Sequence, residues 1–495
     1  MSTREPTRVV VVGNGMAGAR VVEELRLRAD ADVVDITVFG AEPYAPYNRI
    51  LLSELLAGRH ALADIYLTDT AWYAAHDVIV HSGVAVQSID RDNSVVVAAD
   101  GTTAAYDVLV LATGSTAWLP PIDGLLDGDG ALRPGAMVFR TVDDCRQILA
   151  EAGSARTAVV VGGGLLGLEA ARGLAGRGLD VEVVHPVSHL MERQLDEGAG
   201  RVLAQRLAEL GVRSRLGASA VSVVGEERIT GLELADGTVL PADVVVIACG
   251  VRPEVGLAAD AGLTVDRGVV VDDQLRSVSD PGVFAIGECA QHDGQVYGLV
   301  TPAWEQAAVV ADVIARVDGA ATYRGSRVIT RLKAAGIDLA SMGETATIDG
   351  DPGAEVVQFV DPARGTYKKL VIRDDKLVGA ILLGEGATVG AVVQLFDRGA
   401  PVPADRLGLM FAGLAVSPPA ASPALMPGSA TVCHCNNVSK SAIQSCWLAG
   451  ARDVREVAAA TRATTGCGTC RDAVEGILGW LAAAEPDRVG DEVPA

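Results

Sequence analysis

Runs of valine that break abruptly at glycine punctuate the first half of the chain. Residues 8–18, RVVVVGNGMAG, read as a buried strand, a glycine-rich turn and a helix start. Residues 158–167, AVVVGGGLLG, repeat the arrangement. Each is followed by a further apolar strand, Ile36 to Phe39 and Val181 to Val184 respectively. Three more apolar runs end at special residues. Val108 to Leu111 ends at Ala112-Thr113-Gly114, Asp243 to Ala248 at Cys249-Gly250, and Val283 to Ile286 at Gly287-Glu288.

This order predicts an α/β protein with a discontinuous first domain, 1–120 with 240–318, interrupted by a second domain at 121–239. Strand-like runs at Tyr367 to Ile372 and Leu377 to Leu383 predict a separate α+β unit over 319–410. Residues 412–430 contain Pro418, Pro419, Pro423 and Pro427 among small residues and read as a linker. A cysteine-bearing module follows at 431–483, and an acidic tail at 484–495.

A chain of 495 residues that is 49% hydrophobic, with 56 glycines, suits several α/β domains. The net charge of −22 argues against nucleic acid or an anionic membrane as partner. It suits docking to a basic patch on another protein, and equally a self-repelling soluble surface. Apolar runs are broken by charge or glycine too often for a membrane span. The first strand starts too early for a cleavable leader, so a cytoplasmic setting is expected, where clustered thiols favour metal over disulfide.

Gly13, Gly15 and Gly18 form G-x-G-x-x-G directly after a strand, which lets the backbone turn tightly and bring a pyrophosphate onto a helix N-terminus. Glu42, past the second strand, is placed to bind a ribose hydroxyl. Ala112, Thr113 and Gly114 mark a second close backbone approach, and Glu288 sets an acid at another strand end. Gly162, Gly164 and Gly167 repeat the fingerprint. There His185 stands where an acid would select a ribose 2′-hydroxyl, and an exposed turn residue is the plain expectation for it. No lysine or arginine occurs in 186–191 to welcome a 2′-phosphate.

Cysteine placement carries the electron chemistry. No cysteine precedes Cys145, so a dithiol beside the first site is excluded. Cys145, Cys249, Cys289 and Cys446 stand alone and read as small buried apolar residues. Cys433, Cys435, Cys467 and Cys470 form C-x-C and C-x-x-C pairs, a four-thiolate set for zinc or for a [2Fe–2S] cluster. Geometry alone does not separate the two. His434, between two of the ligands, is expected outside the ligand set.

With these motifs the chain resembles the two-dinucleotide-domain flavoprotein disulfide reductases, the glutathione-reductase-like architecture. The resemblance implies FAD at the first site, held by Gly13, Gly15, Met16, Gly18, Glu42, Ala112, Thr113, Gly114, Gly287, Glu288 and Pro302, with Arg49 on the pyrophosphate. Family members commonly carry aspartate where this chain has Glu288. Related ferredoxin and rubredoxin reductases often place a lysine after the serine corresponding to Ser53. Glu54 stands there, so no lysine contact to the flavin is carried over. The same resemblance implies NAD(P)H at the second site, on Gly162, Gly164, Leu165, Gly167, Glu169, His185 and Gly250. The four-cysteine spacing closely resembles the bacterioferritin-associated-ferredoxin-like domain, which implies [2Fe–2S] over zinc.

Tyr47-Asn48-Arg49, the stretches 189–196 and 297–302, and 332–337 together resemble the large subunit of assimilatory NAD(P)H nitrite reductase and the related electron-transfer subunit of assimilatory nitrate reductase. That resemblance implies electron flow from NADH through FAD and [2Fe–2S] to a separate catalytic subunit, nitrate reductase first. It gives residues 319–410 the position of an interface domain, with a homo-oligomer left open. The chain ends soon after Cys470, without the sirohaem region of the nitrite reductases, which is why a separate acceptor is expected. Three alternatives stand: donation to a sirohaem nitrite reductase, an amine or opine dehydrogenase subunit, and a zinc-holding sensor or scaffold.

Overall fold

The computed structural model describes residues 5–332, 334–384, 386, 388–411, 423, 426–433, 436, 438–465 and 470–484. Two units emerge. One comprises Met1–Pro186 with Ala218–Val328, the other Val187–Gly217 with Ile329–Ala495.

In the first unit an eight-stranded sheet runs Ala290–His292, Val269–Val271, Arg276–Ser277, Asp280–Ala285, Val108–Leu111, Thr7–Val12, Val34–Gly40, Val78–Ser82. Thr7–Val12 pairs in parallel with both Val34–Gly40 and Val108–Leu111, and the latter pairs in parallel with Asp280–Ala285. Such strands are buried on both faces, which is why they read as unbroken valine and leucine rather than as alternation. A second parallel set runs Asp180–His185, Thr157–Val161, Val244–Ile247, Ala136–Val138. Each fingerprint glycine turn leads straight into a helix, Met16–Arg26 in the first case and Leu165–Gly176 in the second. Helix Val300–Ile314 packs on Met16–Arg26.

The second unit is built on an antiparallel sheet in the order Ile329–Leu332, Leu339–Gly343, Lys376–Leu383, Thr366–Arg373, Glu355–Asp361. Helix Val389–Arg398 buries Val389, Val392, Val393 and Phe396 in its core. Strand Thr366–Arg373 carries two adjacent buried lysines, which the strand's period of two sends to opposite faces. Lys369 Nζ donates to Asp196 Oδ2 (2.6 Å) and to the Thr345 carbonyl (2.9 Å), and the Tyr367 hydroxyl donates to the same carboxylate (2.6 Å). Asp196 also caps helix Glu197–Glu209 through the Ala199 N–H. Residues 187–217, which carry this charged anchor, group with 329–495 in the second unit. On the other face Lys368 Nζ donates to the Met410 carbonyl and lies 5.0 Å from the Phe411 ring centroid.

Within the cysteine module, Thr431–Cys433 pairs with Val438–Ser439, and helices Lys440–Leu448, Val454–Thr461 and Arg471–Ala484 close around Ile443, Val457, Val474 and Ile477. Ser439 caps the first of these helices. The buried Lys440 donates to the Met426 carbonyl (2.7 Å) and sits 4.5 Å from the Trp480 ring centroid. Among the described residues no helix is long and apolar enough to cross a membrane.

Candidate cofactor sites

The two fingerprints are built alike. Gly13 has φ +113°, and a Cβ there would lie 2.2 Å from the Ala112 carbonyl oxygen. One on Gly18 would lie 1.8 Å from the Gly13 oxygen. Gly162 (φ +118°) and Gly167 repeat this against the Ala248 and Gly162 oxygens at 2.3 and 2.0 Å. These four glycines are required by backbone packing alone. The middle glycines differ. Gly164 has nothing within 4 Å, and Gly15 has only the Arg49 guanidinium, at 4.0 Å. Each caps its helix without a side-chain hydrogen bond, which leaves first-turn N–H groups for a pyrophosphate. The cradles that side chains would fill are kept open, and both fit a dinucleotide.

At the first site Glu42 and Arg49 form an ion pair, and the Tyr47 hydroxyl donates to the other Glu42 oxygen (2.6 Å). Burial, with the Glu42 carboxylate beside it, pushes the Tyr47 hydroxyl well above its usual range, so it stays a donor. Arg49 also donates to the Arg140 carbonyl (3.2 Å). Glu288 accepts from Ser115 Oγ (2.6 Å) and pairs with Arg140, which in turn donates to Ser115 Oγ (2.8 Å). Gly287 (φ +75°) donates its N–H to the buried Gln306 side chain (2.7 Å), and Gly114 (φ +74°) leaves open space. Thr113 Oγ1 donates to the Glu254 carbonyl (2.7 Å), and Pro302 lies buried in the first turn of Val300–Ile314.

Arg140 and Ser115 were not among the residues the sequence suggests. The one local signal is the capping box of Thr141 and Asp144, which starts a helix right after Arg140 and so fixes it at a strand-to-helix corner.

At the second site the expectation of an exposed His185 is wrong. The ring is buried, 5% exposed, and Nδ1 accepts the Gly163 N–H at 3.1 Å. Strand Asp180–His185 runs one residue further than the apolar pattern, which folds the imidazole back onto the fingerprint. Glu169 is buried on helix Leu165–Gly176, whose first residue is Leu165, and Gly250 (φ +105°) has nothing within 4 Å.

Of the isolated thiols of the first unit, Cys145 and Cys289 are buried and Cys249 is half-buried. Burial raises Cys145 and Cys249 to about 11 each, and Cys289 upward as well. They donate to the carbonyls of Leu52 (3.8 Å), Val161 (3.3 Å) and Ile286 (3.3 Å) respectively. Protonated and desolvated, they make poor nucleophiles or electron carriers. In the module, by contrast, Cys433 and Cys470 line one core with the buried amide of Asn436, a soft donor set that fits an iron–sulfur centre. Cys435, Cys467 and His434 lie outside the described residues.

A family model described as pyridine nucleotide-disulphide oxidoreductase matches residues 7–307. The chain belongs to that family. Residues 329–395 match the rubredoxin NAD+ reductase C-terminal domain, and 431–480 the BFD-like [2Fe-2S] binding domain. Similar relatives in Bacillus subtilis are a nitrite reductase [NAD(P)H], 38% identical over 95% of this chain and 57% of that one, and an assimilatory nitrate reductase electron transfer subunit, 37% identical over 97% and 60%. The chain thus spans under two thirds of those relatives' length. Among solved structures, the ferredoxin reductase for the CYP199A2 system of Rhodopseudomonas palustris is 26% identical, with a TM-score of 0.73 over 82% of this chain and 98% of that one. Like its family, the protein is an NAD(P)H-dependent oxidoreductase, and its cofactors are FAD, NAD(P)H and one [2Fe–2S] cluster. The zinc alternative gives way.

Proposed function

We propose that this chain takes electrons from NADH and hands them singly, through its cysteine module, to a separate catalytic reductase, with assimilatory nitrate reductase as the acceptor. What the bound groups supply is a hydride-accepting flavin that yields electrons one at a time and an iron–sulfur centre that relays them. The protein's own part is positioning. Gly15, the first turn begun by Met16, and Arg49 would hold the FAD pyrophosphate. Glu42 would orient its ribose. Arg140 pairs with Glu288 Oε2 and donates to Ser115, which donates to the same oxygen, and this would hold the carboxylate in place for the cofactor. Gly164, Gly167 and His185 would present the nicotinamide coenzyme, with Glu169 as part of the wall. No side chain is assigned a proton transfer.

The observation that carries this reading is the contrast between thiols. Burial raises those of the first unit, which keeps them protonated and leaves the module's cysteines as the exit proposed for electrons. Nitrate is favoured by the electron-transfer-subunit relative, and a nitrite reductase acceptor is the second reading because relatives of that name match as well. A cytoplasmic setting belongs to the same proposal.

Anaerobic stopped-flow mixing with NADH tests it. The flavin absorbance bleaches within seconds, and a reduced-cluster EPR signal follows. Turnover then appears with a catalytic nitrate reductase subunit and stays at background with a sirohaem nitrite reductase. Flavin that ignores NADH and is reduced by an amino acid would establish the amine dehydrogenase alternative instead.

A further inference from the structure

Asn436 follows the C-x-C pair, and its side chain is 3% exposed. Its Nδ2 reaches three acceptors: the Arg462 carbonyl (2.6 Å), Thr465 Oγ1 (3.3 Å) and Cys433 Sγ (3.8 Å). Its Oδ1 is buried with no hydrogen-bond partner among the described residues. The orientation of the amide is not arbitrary. A flip would set Oδ1 against the Arg462 carbonyl, acceptor facing acceptor at 2.6 Å. A buried orphan carbonyl is costly, so an asparagine at this position calls for a reason beyond packing.

The turn it grips supplies part of the reason. Arg462 (φ +64°) and Thr464 (φ +69°) are non-glycine residues in the left-handed region, in the turn that leads to the C-x-x-C pair. Thr465 Oγ1 donates to the same Arg462 carbonyl (2.7 Å). One Asn436 N–H is therefore taken by that carbonyl. The other is divided between Thr465 Oγ1 and the Cys433 sulfur.

We infer that Asn436 is a positioning residue that clasps the two ligand-bearing segments together and, through its second N–H, sets the reduction potential of the cluster held there. A hydrogen bond to a ligand sulfur withdraws negative charge and favours the reduced, more negative state, so losing it lowers the potential. The inference rests on the [2Fe–2S] assignment of this module.

The test uses the full-length holoprotein and an EPR-monitored redox titration, with iron and sulfide measured per chain. Asn436→Leu, close in size but without a donor, is expected to hold its cluster. At fixed solution potential its reduced-to-oxidised ratio falls about tenfold, a drop of about 59 mV for a one-electron couple. Thr465→Val removes the competing acceptor, leaves the second N–H to sulfur alone, and shifts the potential the opposite way. In wild type, an exchangeable deuteron coupled to the reduced cluster appears in D2O by ENDOR and is lost in Asn436→Leu.

A fully loaded Asn436→Leu protein with wild-type potential overturns the inference. If that variant fails to assemble a cluster, the Thr465→Val shift decides, and a shift downward or none at all overturns it. Wild type without iron and sulfide would instead overturn the cluster assignment, a distinguishable result.

Discussion

The two fingerprints have nearly the same backbone and different strand ends. Gly13 and Gly162 share a left-handed φ and crowd the Ala112 and Ala248 carbonyls to within a tenth of an ångström of each other. Past the second strand, the first site sets Glu42 in a net with Tyr47 and Arg49, and the second turns His185 inward onto Gly163. The glycines shape the same backbone cradle in both places, and the strand-end side chains differ between them. A carboxylate paired to an arginine offers an acceptor for ribose and a cation for pyrophosphate. The buried imidazole instead accepts the Gly163 N–H.

The largest effects come from breaking the shared part. Gly13→Ala forces a Cβ into a carbonyl at a left-handed φ, so the protein is expected to purify colourless. Gly162→Ala is expected to keep its yellow flavin and lose NADH-driven bleaching by more than about 100-fold, read by stopped flow. Gly164→Ala, with open space around it, should melt within a few degrees of wild type while binding coenzyme more weakly. Equal flavin loss in the Gly13 and Gly162 variants would break the assignment of one cofactor to each site.

A second prediction sharpens what lies beyond the second strand. The segment 187–217 is anchored by Asp196 against Lys369 and Tyr367. Lys369→Met strips the cation from a buried pair, and a loss of about 3 kcal/mol is expected in chemical denaturation. Burial alone would raise the Asp196 carboxyl, but the Lys369 and Tyr367 donors and the Ala199 N–H outweigh it and hold it below the usual carboxylate range. A depressed folded-state value means its stabilisation is present at neutral pH and is lost as pH falls through that value, below about 4. The acid limb of a stability profile should therefore flatten in Lys369→Met.

The smallest effects separate the strand ends. His185→Asp supplies the missing ribose acceptor and is expected to raise the NADH-over-NADPH ratio of kcat/KM about tenfold, near 1.4 kcal/mol. Glu42→Gln leaves Arg49 unpaired and should weaken FAD binding by about 1 kcal/mol, read by flavin release on dilution. No change in coenzyme ratio for His185→Asp would show that selectivity lies elsewhere.

Local signals were legible in the amino-acid order because they are local. Strand, glycine turn, helix and the acid after the second strand all fall within one βαβ unit, and the four cysteines announce themselves by spacing. Arg140 was invisible because it meets Glu288 from 148 positions away. The lysines of strand Thr366–Arg373 were illegible for another reason. A charged residue reads as exposed, and only the fold shows Lys368 and Lys369 spending their charge on a carbonyl and on Asp196. His185 misled in the same way, a polar residue whose hydrogen bond points inward.

The raised thiols of Cys145, Cys249 and Cys289 have a practical side. Alkylating reagents attack thiolate, and at neutral pH these three offer almost none. Cys446 is half-buried and also raised by burial, so it too reacts slowly. A brief pulse of iodoacetamide is therefore expected to leave these four cysteines largely unmodified, which the mass of the intact chain reads directly.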